Sequence, residues 1–65
     1  MRVYWEAYGL WSKRRWTESG NTHICNRRRF DTVREAAQAL RIAGGADKYR
    51  LVREDGVVLL TVSNW

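Results

Sequence analysis

Two runs of three cations are the residues of this sequence best suited to recognition chemistry. They are Lys13, Arg14 and Arg15 in the first run, and Arg27, Arg28 and Arg29 in the second. Guanidinium and ammonium groups bind phosphate through charge and hydrogen bonds. Gly20-Asn21 is a hairpin-turn pattern whose register sets Arg14 opposite Arg27, so that the two runs lie on neighbouring strands. Because like charges at facing strand positions are destabilising, this arrangement predicts a polyanionic partner that relieves the repulsion.

Tryptophan side chains lie among these cations in the sequence. Trp16 joins the six cations as a predicted nucleic-acid contact, because an exposed indole can stack on unpaired bases. Trp11 and Trp65 are the candidate anchors for a protein partner, since Trp is enriched among the residues that dominate binding energy. Two alternatives stay open. The Trp side chains can instead fill the core, and runs of cations are often only solvated segments.

His23 and Cys25 come closest to a catalytic pair. They are two positions apart and would share one side of a strand, where a thiolate–imidazole pair can form. The sequence supplies no third orienting group, and one His with one Cys cannot complete a protein zinc site. Gly44-Gly45 matches no phosphate-binding loop. We therefore predict that the protein is not an enzyme and has no catalytic residues, metal or cofactor.

The composition limits the class of protein. The chain has 65 residues, which suits one small domain spanning residues 1–65. Twelve Lys and Arg against seven Asp and Glu give a formal charge of +5, which attracts phosphate-rich or acidic partners. The lone Cys25 cannot form an internal disulfide and favours a reducing cytoplasm. The longest aliphatic run, residues 57–60, is too short to span a membrane, so we expect a soluble, cytoplasmic protein.

A helix is the clearest of the elements that must position these residues. It is predicted from about residue 32 to residue 43, because apolar residues recur there at helical spacing. Thr32 and Glu35 form a capping-box pattern at its start, and Gly44-Gly45 supplies a stop signal. The predicted outward face holds three polar residues, namely Arg34, Gln38 and Arg41.

A β-hairpin is predicted after the helix. Asp55-Gly56 is the preferred pair for a two-residue type I′ turn. In that register Leu51 lies opposite Leu60, and Arg53 lies opposite Val58. Residues 2–30 also favour strands, with the first turn left open between residues 9–10 and 12–13. The predicted fold class is α+β, with a single antiparallel sheet of about four to five strands packed on one helix in the order β-β-(β)-α-β-β.

Residues 29–39, RFDTVREAAQA, resemble the strand-to-helix segment of the plant ethylene-response-factor DNA-binding domain, whose fold also occurs in the arm-binding domain of tyrosine integrases. The resemblance implies a sheet whose Arg and Trp side chains enter the DNA major groove while the helix packs behind. The contact residues that it implies are Arg14, Arg15, Trp16, Arg27 and Arg28. In size, element order and helix pattern the chain is also similar to small phage-encoded proteins, including anti-CRISPR proteins and inhibitors of host RNA polymerase.

Three functions follow as expectations. The first is non-enzymatic, sequence-tolerant binding of DNA or RNA through phosphate contacts from a basic β-hairpin surface, in a protein of phage or mobile-element origin. The alternative is a phage-type inhibitor that binds a host protein complex, such as a CRISPR effector or RNA polymerase, without catalysis. The third expectation is a homodimer assembled through a sheet edge.

Overall fold

A computed structural model describes residues 1–20, 24–41 and 45–63, and these form one antiparallel sheet with one α-helix packed against it. The strands are β1 (Val3–Tyr8), β2 (Thr17–Glu18), β3 (Lys48–Arg53) and β4 (Val58–Ser63), and the helix α1 (Val33–Leu40) lies between β2 and β3 in sequence. The strand order across the sheet is β2-β1-β3-β4. The predicted α+β class is therefore confirmed.

Alternation along the two central strands gives the sheet one buried face and one partly covered face. In β1, Val3, Trp5 and Ala7 are buried, whereas the residues between them are half-buried. Tyr49 of β3 pairs with Ala7 and is buried on the same face. Leu51 pairs with Trp5 and has no exposed surface. Since successive strand residues point to opposite faces, the buried face packs on α1 and the other face points away from it.

Trp5 joins the helix to the sheet. Its indole Nε1–H donates to the Ala36 carbonyl oxygen over 2.9 Å, and Ala36 is fully buried. The small Ala side chain lets the helix backbone come close enough for this bond. Ile24 and Phe30, from the segment before the helix, are also buried in this core. The core therefore contains a large aromatic residue, Trp5, that is also hydrogen-bonded to the helix backbone.

Helix α1 begins at the predicted position. Thr32 is the N-cap, and its Oγ1 accepts a hydrogen bond from the Glu35 N–H over 3.2 Å. The Glu35 carboxylate accepts from the Asp31 N–H instead of the Thr32 N–H, so only the first half of the predicted capping box is formed. The helix ends at Leu40, and residues 42–44 of the prediction lie outside the described residues. The described part of the chain has no helix with the length and apolar character needed to cross a bilayer.

The predicted pairing of β3 with β4 is partly confirmed. Leu51 lies opposite Leu60, as expected. Val58, however, pairs with Val52, so the predicted pairing of Arg53 with Val58 is wrong. The cause is a register shift between Leu51 and Val52, where β4 carries an additional residue.

The turn of this hairpin is longer than predicted. The Gly56 N–H donates to the Arg53 carbonyl and the Arg53 N–H donates to the Val57 carbonyl, both over 2.8 Å, so residues 54–56 form the loop. Gly56 has a φ of 94°, but Asp55 is not among the residues with positive φ. A type I′ turn needs positive φ at both central residues, so that prediction is wrong. The Asp55 carboxylate instead accepts from the Arg53 guanidinium and from the Val57 N–H, which holds the longer loop.

A short 3-10 helix, Leu10–Ser12, reverses the chain after β1. The Gly9 N–H donates to Ser12 Oγ over 3.0 Å, and the Arg14 N–H donates to the Gly9 carbonyl over 2.7 Å. Lys13 and Arg14 then adopt positive φ values of 52° and 62°. The reversal therefore includes both of the turn positions that the sequence left open.

The predicted hairpin around Gly20-Asn21 is not formed in the predicted register. Thr17 pairs with Ala7 of β1, and the Ser19 N–H donates to the Trp5 carbonyl over 3.0 Å. Residues 17–19 therefore pair with the edge of β1, and not with residues 24–28 as predicted. Cys25 has a φ of 63°, and the next two residues are also left-handed, so this segment is a turn and not a strand. Asn21 lies outside the described residues.

Candidate nucleic-acid interface

The sheet face that points away from α1 carries aromatic and charged side chains, and we call it the outer surface. From β1 it includes Tyr4, Glu6 and Tyr8, which alternate with the buried residues of that strand. From β3 it includes Arg50, which pairs with Glu6, and Lys48, which pairs with Tyr8. The flanking segments add three further residues, namely Trp16, Glu18 and Arg29.

Trp16 lies at the centre of one aromatic–cation cluster on the outer surface. Its ring contacts the Tyr8 ring with centroids 5.3 Å apart, and the guanidinium carbon of Arg50 lies 4.4 Å from its centre. Lys48 Nζ lies 5.7 Å from the centre of the Tyr8 ring. Glu6 holds Arg50 in place, because its Oε1 accepts from Arg50 Nε over 2.5 Å. Each cation–ring contact stabilises this arrangement by about 0.5–1 kcal/mol where water is near.

Arg29 and Tyr4 form a second cluster on the same face. The guanidinium carbon of Arg29 is 4.0 Å from the centre of the Tyr4 ring, and Arg29 Nη2 donates to Glu18 Oε1 over 2.9 Å. This hydrogen bond raises the pKa of Arg29 above its ordinary value. The pKa of Tyr4 is also raised, first by burial and then by the carboxylates of Glu6 and Glu18. The cluster is therefore a protonated guanidinium over a neutral phenol at physiological pH.

The two cation runs lie at opposite ends of β1. Arg14 hydrogen-bonds to Gly9, just after the end of the strand. The Arg27 N–H donates to the Ser19 carbonyl over 2.9 Å, and Ser19 is hydrogen-bonded to Trp5. Gly9 and Trp5 are separated by about 13 Å in an extended chain. The predicted pairing of Arg14 with Arg27 is therefore wrong, because each run follows a different part of the β1 edge. The repulsion between facing cations that predicted a polyanionic partner does not arise in this arrangement.

Ion pairs neutralise two of these six cations. Arg14 pairs with Asp47, and Arg29 pairs with Glu18. The other four are exposed and have no carboxylate partner within the described residues: Lys13, Arg15, Arg27 and Arg28. Among the residues that the structure describes, five ion pairs use five of the seven Asp and Glu side chains. Much of the excess positive charge is therefore carried by these four residues.

Arg28 is ordered by contacts other than an ion pair. Its guanidinium carbon lies 5.0 Å from the centre of the Phe30 ring, and its Nη1 lies 3.8 Å from Cys25 Sγ. Cys25 is a free, exposed thiol, whereas His23 lies outside the described residues. In the ranges 1–20, 24–41 and 45–63, no group of three or more His, Cys, Asp or Glu side chains is placed to hold a metal ion.

The structure describes the environments of two of the four Trp residues, and these differ. Trp5 is a core residue, as the alternative interpretation of the sequence expected, with only 2% of its surface exposed. Trp16 is half-buried on the outer surface, beside the rings and cations described above. Trp11 belongs to the 3-10 helix, and its side chain lies outside the described part of the structure, as does all of Trp65. The predicted role of Trp11 and Trp65 as protein anchors stays a prediction.

Sequence reasoning missed six of the eight residues of the outer surface, namely Tyr4, Glu6, Tyr8, Glu18, Lys48 and Arg50. The signal was present, because every second residue from position 4 to position 8 and from position 48 to position 50 is aromatic or charged. What the sequence did not supply was the pairing of β1 with β3, which sets the two rows side by side. These strands are separated by α1 in sequence, so their pairing is a long-range feature.

Comparisons with known protein families, with curated proteins and with solved structures found no match to this chain. The resemblances to the ethylene-response-factor domain and to phage-encoded inhibitors therefore stay predictions. The function of the outer surface is inferred from its own residues and their contacts.

Proposed function

We propose that this protein is a non-enzymatic module that binds single-stranded nucleic acid across its outer surface, with little sequence preference. The observation that supports this most directly is the row of rings and guanidinium groups on that surface. Exposed cations without carboxylate partners in the described residues border the row at both ends of β1. The exposed free thiol of Cys25 is compatible with a reducing compartment, and we include a cytoplasmic location in the proposal.

The bordering cations suit contacts with a phosphate backbone. Lys13 and Arg15 follow the 3-10 helix, beyond the end of β1. Arg27 and Arg28 lie just before Phe30, which pairs with Val3 at the start of β1. Trp5 of β1 and Gly9 just after this strand, which lie near these two groups, are about 13 Å apart in an extended chain. A short segment can therefore contact both groups at once.

The row between these cations suits unpaired bases. Bases stack on aromatic rings and on guanidinium planes, and each stacked base contributes about 1–3 kcal/mol. Trp16 with Arg50, and Tyr4 with Arg29, offer two such places. The carboxylates on this face are already paired with Arg side chains, which reduces their repulsion of phosphate.

A single strand fits this geometry better than a duplex. In a duplex the base faces are stacked on each other, and a protein must reach base edges through a groove with a protruding helix or ribbon. The outer surface is a sheet face, and the two cation runs do not form a basic ribbon. The contacts it offers are ring faces and phosphate-binding cations, which are the features of sequence-tolerant single-strand binding.

The test is the salt dependence of affinity for oligothymidine and oligouridine of about twelve nucleotides. Arg15→Ala and Arg28→Ala should each reduce the slope of log affinity against log salt by about 0.7, the value for one phosphate contact with a single strand. Arg34→Ala is the matched control. Arg34 is also exposed and has no carboxylate partner in the described residues, but it lies on α1, at the opposite face of the sheet.

A second variant separates stacking from charge. Trp16→Ala should weaken binding by about 1–3 kcal/mol while leaving the salt slope unchanged, since it removes a ring and no charge. Unfolding curves of each variant show whether the fold is retained. Equal losses in Arg34→Ala and Arg15→Ala would contradict the proposed location. Absence of binding at low salt would remove the proposal and leave the host-protein inhibitor as the hypothesis to pursue.

A further inference from the structure

The edge of the sheet formed by β4 has the properties of an assembly surface. β4 is the last strand in the order β2-β1-β3-β4, and no strand of the described residues lies beyond it. An edge strand presents main-chain N–H and C=O groups that can pair with another strand. The opposite edge differs, because β2 has only two residues.

The composition of β4 makes this edge unusual. Residues 57–63 contain no charged residue and no Pro, which are the common devices that prevent edge-to-edge pairing. Val58, Leu59 and Leu60 expose 44%, 40% and 39% of their surface. The register shift lies beside the turn, and pairing with β3 is regular from Leu60 to Ser63. The regular part of this edge therefore has no protecting charge of its own.

The buried core does not extend fully to β4, as the partial exposure of Leu60 shows. Leu60 pairs with Leu51, which is fully buried, and lies on the same side of the sheet. Helix α1 is fixed to β1 through Trp5, two strands away from β4. The helix therefore leaves Leu60 partly uncovered. A further strand placed beside β4 would bring apolar side chains against it.

We infer that β4 pairs in antiparallel orientation with β4 of a second copy of this chain, about a two-fold axis, to form a homodimer with a continuous sheet. Antiparallel pairing of identical strands is self-complementary and closes after two copies. The distribution of charge favours β4 as the surface where two copies meet. Each chain carries +5, so two copies repel at most approaches, but β4 is neutral. The nearest cations, on the two β3 strands, would be about 14 Å apart, which exceeds the screening length at physiological salt.

The small size of this interface limits the affinity of the dimer. Six strand residues extend about 20 Å, so the contact is at the small end of specific interfaces. The dimer is therefore reversible and forms with increasing concentration. A two-fold axis perpendicular to the sheet keeps both outer surfaces on one side, with the two β1 strands about 24 Å apart. Two linked sites on one nucleic acid would raise affinity, a consequence that depends on the proposed function.

Sedimentation velocity of the protein alone, without nucleic acid, tests the dimer separately from that function. The wild-type mass should rise with concentration from the 7.7 kDa of one chain to about twice that value and no further. Thr61 is an exposed residue of β4, and both Thr61→Lys and Thr61→Glu should weaken dimerisation by at least tenfold. Gln38→Lys, on the exposed face of α1, is the control with the same charge change as Thr61→Lys and should dimerise as the wild type does.

Amide hydrogen exchange on the wild type provides a measurement that needs no variant. The β4 amides that point away from β3 should exchange more slowly in concentrated than in dilute protein. A wild-type protein that stays monomeric at all concentrations would overturn the inference. So would a dimer that persists in both Thr61 variants, open-ended oligomers, or association with exchange in β4 unchanged.

Discussion

Gly9 is the first residue of the chain reversal after β1, and this reversal determines where the first cation run and Trp16 lie. Its φ of 150° and ψ of −154° lie in a region that is almost exclusive to glycine. A Cβ at this position would lie 2.8 Å from the Asp47 backbone nitrogen and 3.1 Å from Asp47 Cγ. That nitrogen donates to the Tyr8 carbonyl over 2.9 Å, so it cannot move without loss of the bond. Gly9→Ala should therefore strain the backbone and separate two segments of the fold.

The expected magnitude combines two contributions. A non-glycine residue in this region costs about 1–3 kcal/mol. Weakening the bond between Asp47 and Tyr8 adds about 0.5–1.5 kcal/mol. The total is a loss of about 1.5–4.5 kcal/mol in the free energy of unfolding. For a domain of this size that corresponds to a fall in Tm of about 10–35 °C.

Two other glycines serve as controls in the same assay. Gly56 has a φ of 94°, but a Cβ there meets nothing within 4 Å, so Gly56→Ala should cost only about 1–2 kcal/mol. Gly20 is not in the left-handed region and also has open space around it, so Gly20→Ala should change stability by less than about 1 kcal/mol. Urea unfolding followed by tryptophan fluorescence measures all three. A Gly9→Ala protein at least as stable as Gly56→Ala would refute the reasoning.

Three further predictions concern the core, the hairpin and the outer surface. Trp5→Phe should lower the free energy of unfolding by about 1–3 kcal/mol, because it removes the donor to Ala36 and leaves a void. The pKa of Asp55 is below its ordinary value of 3.8, first because of the hydrogen bond from Arg53, and NMR titration should show it rising toward 3.8 in Arg53→Gln. The stability from this bond is present above the unfolded pKa and is lost as pH falls through the lower folded pKa. Glu18→Gln should increase affinity for a single strand and steepen its salt slope by about 0.7, since it frees a guanidinium for phosphate.

Each of these has an outcome that would contradict it. Equal stability of Trp5→Phe and wild type in urea would mean that the indole bond contributes nothing. An Asp55 titration that is the same with and without Arg53 would remove the assigned cause of the pKa shift. Glu35→Gln, on α1, removes the same charge as Glu18→Gln, so an equal gain in affinity from both would show only a net-charge effect.

Local patterns in the sequence predicted the start of the helix and part of the hairpin in the second half of the fold. Thr32 and Glu35 predicted the start of α1, because capping depends on residues three positions apart. The pairing of Leu51 with Leu60 followed from alternation around a turn. The additional residue in β4 was missed, because Asp55-Gly56 is compatible with both two-residue and three-residue loops. In the structure, the backbone hydrogen bonds between Arg53 and Val57 and the side-chain bonds of Asp55 belong to the three-residue loop.

The candidate site was less predictable because it depends on long-range pairing. Gly20-Asn21 indicated a local hairpin, but the open edge of β1 takes residues 17–19 instead. The left-handed conformations of Lys13 and Arg27 could not be expected from their residue types, since positive φ is uncommon outside glycine. Five of the six predicted cations are exposed and Arg29 is half-buried, whereas the predicted geometry between the two runs is wrong. Tyr4 and Tyr8 belong to the site because β1 pairs with β3, which sets them beside the charged residues of that strand.

The most direct test of the central claim is an NMR titration of isotope-labelled protein with oligouridine at low salt. Binding at the outer surface should shift the indole N–H signal of Trp16 and the side-chain N–H signals of Arg29 and Arg50. Signals of Arg34 and Gln38, on the exposed face of α1, should stay unchanged. Shifts confined to α1, or no shift at all with excess oligouridine, would contradict the account.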